Sequence, residues 1–82
     1  MSSLKVKVLS IDISANDGAV LRVLGLTERR GHRVQKMHAY MPSSTSFKLE
    51  VQIEEGTPRQ DVLIHQVKRL PDVVNAKDIT AA

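Results

Sequence analysis

The stretch Ser14-Ala15-Asn16-Asp17-Gly18-Ala19-Val20-Leu21-Arg22-Val23-Leu24-Gly25-Leu26-Thr27-Glu28-Arg29-Arg30-Gly31 reads as a loop, a helix start, one amphipathic helix and a glycine stop. Asp17 is the expected N-cap, since a carboxylate there accepts from the first free N–H groups and suits the positive end of the helix dipole. Val20, Val23, Leu24 and Thr27 share one stripe at helical spacing, with Leu21 at its margin. Arg22, Glu28 and Arg29 fall on the wet side. Arg29 and Arg30 suit the negative end of the helix, and Gly31 supplies the left-handed residue that ends it. Gly25 inside the helix costs about 1 kcal/mol against alanine, which a close approach of a neighbouring strand or subunit would explain. Gly18 leaves room for a ligand or a second chain beside the outward N–H groups of the helix start. The turn from Asn16 to Ala19 is therefore the first candidate for a site.

Outward from this helix the pattern changes to strands. Before it, Lys5 to Ile13 carries Val6 and Val8 on one side and Leu9, Ile11 and Ile13 on the other. That change of phase predicts a central strand covered on both faces, or a bulge near Val8-Leu9. After it, His32 to Met41 reads as a strand closed by the loop Pro42-Ser43-Ser44-Thr45. Ser46 to Glu55 alternates without a break: Phe47, Leu49, Val51 and Ile53 face one way, and Lys48, Glu50, Gln52 and Glu54 the other. Thr57, Pro58 and Gln60 mark a second helix start. That helix extends to about Leu70, with Leu63, Ile64, Val67 and Leu70 inward, and Pro71-Asp72 stops it. Val73 to Ile79 forms a last strand. The order strand, helix, strand, strand, helix, strand predicts an α+β, ferredoxin-like βαββαβ sandwich: a four-stranded antiparallel sheet with two helices on one face. Right-handed crossovers put the first and third strands at its centre.

The chain of 82 residues has room for one domain, residues 1–82 with a core of about 5–80. Tyr40 and Phe47 are the only aromatics, so the core is aliphatic. A domain this small without a disulfide is marginal alone, which points to oligomerisation. The absence of cysteine removes thiol chemistry and thiolate metal sites and fits a cytoplasmic protein. No run approaches the 18 or so apolar residues of a membrane span, so no membrane association is expected. The net charge of +3 is spread along the chain, unlike the concentrated patch of nucleic-acid binders. Phe47 lies in the inward phase, so no base-stacking platform for RNA is expected either. The nine acidic residues are dispersed, and Glu54-Glu55 face opposite sides of a strand. His32 and His38 lie six apart on one predicted strand, and His65 is in the second helix. No nucleophile–base pair, carboxylate dyad or metal set emerges, so neither catalysis nor a metal site is expected in this chain.

Gly18 to Leu26, then Arg29-Arg30-Gly31-His32-Arg33-Val34, and finally Lys68-Arg69-Leu70-Pro71-Asp72-Val73-Val74, resemble an ACT domain. Among ACT domains the chain is most similar to the regulatory small subunit of acetolactate synthase (acetohydroxyacid synthase). The resemblance implies a non-catalytic partner of a large subunit that carries thiamine diphosphate, magnesium and FAD; no cofactor is implied for this chain. It further implies activation of the large subunit in branched-chain amino acid biosynthesis, and a homodimer through ACT–ACT pairing. A possible amino acid effector would sit at the interface near Ala15, Asn16, Asp17, Gly18, Ala19 and Val20, with His32 and Arg33 at the start of the second strand. Valine-sensing members carry asparagine where this chain has Ala15, and again where it has His32-Arg33. Both departures imply weak or no valine feedback and resemble the short, ACT-only small subunits. The other reading is a stand-alone ACT domain that binds an amino acid.

Overall fold

Leu9, Ile11 and Ile13 meet Val51, Leu49 and Phe47 across the central strand pair, so the two apolar rows share one face. The computed structural model describes residues 6–54 and 60–80. Its elements are β1 (Val6–Ser14), α1 (Ala19–Arg29), β2 (Val34–Ser43), β3 (Ser46–Glu54), α2 (Gln60–Lys68) and β4 (Val73–Asp78). All pairings are antiparallel and the strand order is β2-β3-β1-β4, the ferredoxin-like arrangement expected, with β1 and β3 central. One core joins these rows to Ala19 and Val23 of α1, Leu63 and Val67 of α2, and Ala76 of β4. Leu49, Val51 and Ile53 are 0–1% exposed, as strict alternation on β3 requires. On the opposite face Asp12 Oδ1 lies 3.2 Å from Lys48 Nζ, its register partner.

Several boundaries differ from the sequence reading, each for a local reason. Gly18, not Asp17, is the N-cap of α1, with φ 75° and no side-chain capping bond; Asp17 is exposed. β1 pairs with β3 in unbroken register from Val6 to Ser14, so there is no bulge at Val8-Leu9. The slip lies at Asp12/Ile13 against β4, where Val74 is turned outward and is 73% exposed. β2 begins at Val34 because Gly31 (φ 86°) ends α1 and the His32 N–H donates to the Thr27 carbonyl at 3.1 Å. His32 is consequently buried beneath the end of α1 and does not share a strand face with His38.

β2 reaches Ser43 through Pro42, which an edge strand tolerates because its outer N–H groups need no partner. Leu21 is 74% exposed instead of marginal, and Arg22 lies on the exposed side as expected, ion-paired with Asp72. An added Cβ at Gly25 would meet no described atom within 4 Å, so this chain supplies no close approach there. The proposed cap and first turn of α2 at Thr57 and Pro58 lie outside the described residues. Its helix ends at Lys68, and Leu70 follows in a turn with its N–H on the Val67 carbonyl at 3.0 Å. β4 ends at Asp78, and the Ile79 N–H donates to the Val8 carbonyl at 2.8 Å.

β2 sets the asymmetry of the molecule. Met37 and Ala39 pair with Val51 and Leu49 and so project to the core side, yet every β2 residue after Val34 is exposed. The helices cover β1 and β3 and leave this edge bare, with Met37 38% and Met41 50% exposed.

Candidate functional site

The end of β1 is pinned from two directions. The Ser14 N–H donates to the Asp72 carbonyl at 2.8 Å, and the Ala15 N–H donates to the Thr45 carbonyl in the β2–β3 hairpin at 2.9 Å. Between these anchors the chain reverses through Gly18, whose positive φ of 75° places the Ala19 N–H on the Asn16 carbonyl at 3.1 Å. A side chain at position 18 would be strained in this left-handed conformation. Because the cap is glycine, no side chain accepts from the first turn, and among the described residues the N–H groups of Val20 and Leu21 have no acceptor.

These N–H groups border a hollow of about 440 Å³, lined by Ala15, Asn16, Asp17, Gly18, Ala19, Val20 and Leu21 from the turn and by Met41, Ser44 and Phe47 from the hairpin. All six turn residues singled out from the sequence therefore line one cavity, and its size lies within the range of small-molecule sites. The walls are mainly apolar, and the helix start supplies backbone donors. A helix start favours an anionic group, while the Asp17 carboxylate in the same lining opposes one.

His32 and Arg33 are not part of this hollow within one chain. β1 ends at the turn, α1 leads away from it, and β2 starts at the distant end and returns, bringing Met41 rather than His32 to the pocket. His32 is 4% exposed, and burial lowers its pKa. Arg33 is exposed, 3.9 Å from Glu54 Oε2, and its carbonyl accepts the Glu54 N–H at 3.0 Å.

The residue that sequence reasoning missed is Asp72, taken there only as part of a helix stop. Its Oδ1 accepts from Asn16 Nδ2 at 2.8 Å, and its Oδ2 accepts from Arg22 Nε and lies 2.7 Å from both Nε and Nη2. These two donors, Arg22 before Asn16, hold the Asp72 carboxyl below its ordinary range. One N–H of the Asn16 amide is thus held by Asp72, although Asn16 also lines the hollow. Only the Pro-Asp punctuation after α2 and an unpaired arginine on α1 hinted at this, and neither names its partner. Among the described residues no three His, Asp or Glu side chains converge as a metal site. No described helix is long and apolar enough to cross a membrane.

Residues 15–76 match the sequence profile of the ACT domain family. No curated protein sequence matches the chain. Among solved structures, the fold is similar to the ACT domain from the GTP pyrophosphokinase of Chlorobium tepidum. That match has a TM-score of 0.77 at 9% identity and covers 94% of this chain and 100% of the other. The C-terminal domain of the MgtC protein from Mycobacterium tuberculosis superposes with a TM-score of 0.75 at 8% identity, covering 99% and 92% of the two chains. A formyltetrahydrofolate deformylase from Pseudomonas putida KT2440 matches with a TM-score of 0.71 at 13% identity, over 95% of this chain and 29% of that one. At these identities the likeness is one of fold.

Proposed function

This chain belongs to the ACT domain family of regulatory, non-catalytic, ligand-binding modules, and on that premise we propose that it is a regulatory small subunit of a cytoplasmic acetolactate synthase. In this reading it activates the large catalytic subunit of branched-chain amino acid biosynthesis and confers weak or no valine feedback. The observation that carries the reading is the state of the turn: Ala15 has no polar side-chain group, and the Asn16 amide is bonded to Asp72 at 2.8 Å. Without an asparagine at position 15 the turn offers fewer side-chain hydrogen bonds to an amino acid and so discriminates less among them, because such bonds carry selectivity. Thiamine diphosphate, magnesium and FAD belong to the large subunit.

The bare β2 edge supports the homodimer. Antiparallel pairing of two such edges would cover Met37 and Met41, 38% and 50% exposed in the single chain, and would satisfy the open row of backbone groups. It would also bring the start of one β2 beside the end of the other, so that His32 and Arg33 of a second copy approach the Met41 side of the pocket. Mixing the chain with purified large subunit tests the main proposal. Acetolactate formation rises if it is correct, and an unchanged rate at saturating small subunit sinks it.

The second reading, a stand-alone ACT domain sensing an amino acid, is favoured by the 440 Å³ hollow and its unpaired Val20 and Leu21 N–H groups. It predicts calorimetric heat on titration with valine, leucine or isoleucine.

A further inference from the structure

Asp72 touches the pocket's turn without lining the pocket. Val20, which lines the hollow, and Arg22, which grips Asp72, are two residues and hence about 200° apart on α1. The link between hollow and carboxylate is Asn16, which lines the one and donates to the other. Three of its contacts reach across fifty or more residues of sequence: the Asn16 amide at 2.8 Å, the Arg22 guanidinium at 2.7 Å, and the Ser14 N–H on its backbone carbonyl at 2.8 Å. Together they span the end of β1, the turn and the first helical turn of α1. The same Asp72 sits in the connection that joins α2 to β4, where the Val73 N–H closes on the Leu70 carbonyl at 3.0 Å. Pro71 and Val74 on either side are exposed.

From this geometry we infer that Asp72 is a positioning residue that makes the pocket turn (residues 14–19) and the α2–β4 connection (residues 70–73) one unit. A contact made at Pro71 or Val74 then alters the pocket without touching it, and filling the pocket stiffens the connection. Such coupling needs a continuous set of bonds with discrete made and broken states, which a charge-assisted pair beside an amide–carboxylate bond provides. The inference deepens the reading of the turn as an effector site, but its test requires no effector.

Amide hydrogen exchange on the full chain, in the wild type and in Asp72→Ala and Asp72→Asn, provides that test. Asp72→Ala should accelerate exchange at Asn16 and Ala19 by about tenfold or more, while Leu9–Ile13 and Leu49–Ile53 keep wild-type rates. Asp72→Asn retains an acceptor for the Asn16 amide and loses the Arg22 ion pair, so it should fall between the two. Wild-type exchange at Asn16 and Ala19 in Asp72→Ala would overturn the inference. So would an equal acceleration throughout the sheet, which would make Asp72 a contributor to global stability only. Should Asp72→Ala fail to fold, Asp72→Asn is judged by the same two criteria. A flat calorimetric titration with amino acids would count against the effector reading and leave this outcome intact.

Discussion

Gly18 and Gly25 lie seven residues apart at the start and in the middle of one helix, and alanine should have opposite effects at them. At Gly18 the backbone φ is 75°, a conformation that strains an L residue by about 1–2 kcal/mol. Part of this is offset by the lower entropy of the unfolded alanine chain, about 0.4–1 kcal/mol. The new Cβ would lie 3.1 Å from Arg22 Nη1, the mobile end of a side chain that can withdraw only by loosening its grip on Asp72. The net expectation is a loss of about 1 kcal/mol. At Gly25 the φ is not positive and the added methyl meets no described atom within 4 Å. Alanine there should stabilise by about 0.5–1 kcal/mol through helix propensity alone. For a domain of this length 1 kcal/mol shifts Tm by about 4–8 °C. The two variants should therefore melt on opposite sides of the wild type in circular-dichroism scans at matched protein concentration. A Gly18→Ala variant melting at or above wild type would refute the left-handed turn. A Gly25→Ala variant melting below it would show that a second chain occupies the space the isolated domain leaves open.

Other perturbations follow from the same contacts. Leu49→Ala, at a fully buried core position paired with Ile11 of β1, should lose about 2–5 kcal/mol and show it as a collapsed urea midpoint. Asp12→Asn removes a half-exposed cross-strand pair with Lys48 and should lose only about 0.2–1 kcal/mol, an effect that disappears when the urea titration is repeated in high salt. Stability should also fall on acidification in two stages. Burial lowers the His32 pKa, so the unfolded chain takes the proton first, and this contribution, whole above about pH 6.5, shrinks as pH drops below that value. The Asp72 carboxyl, held low by Arg22 and then Asn16, contributes fully above its unfolded value of about 3.9 and loses that contribution as pH falls through its folded value. Tm profiles of His32→Gln and Asp72→Asn should each lack one stage, and a profile identical to wild type would contradict the corresponding burial or ion pair.

The strands and helices were readable wherever burial on one face writes a period into the chain. β3 carries that period over nine residues, and its alternation led directly to a strand with one solvated face, which the crossover rule put at the centre. β1 was harder, because Val6 and Val8 add apolar residues to the open face and imitate a bulge. β2 was hardest for the opposite reason: as an exposed edge strand that no helix covers, it is under no burial constraint that would space its apolar residues. Its start was misplaced by two residues because the Gly31 turn continues through His32, whose N–H closes on Thr27.

The site divides along a similar line, between what is local in sequence and what is not. A glycine at a helix start marked the turn as a place where a ligand or a second chain could approach, and the six turn residues from Ala15 to Val20 do line one hollow. The identity of the cap did not follow from local rules: Asp17 is the better capping residue by preference, yet it is exposed and makes no capping bond. Asp72 could not be found this way, because its partners Asn16 and Arg22 are 56 and 50 residues distant. Each of those three residues had a sufficient local explanation, as a loop asparagine, a wet-side arginine and a helix-stop aspartate. The contact that matters appears only when the α2–β4 connection and the β1–α1 turn are brought together by the fold. An asparagine next to an effector turn is thus a poor guide to ligand chemistry until its amide is accounted for, and here that amide holds the turn in place.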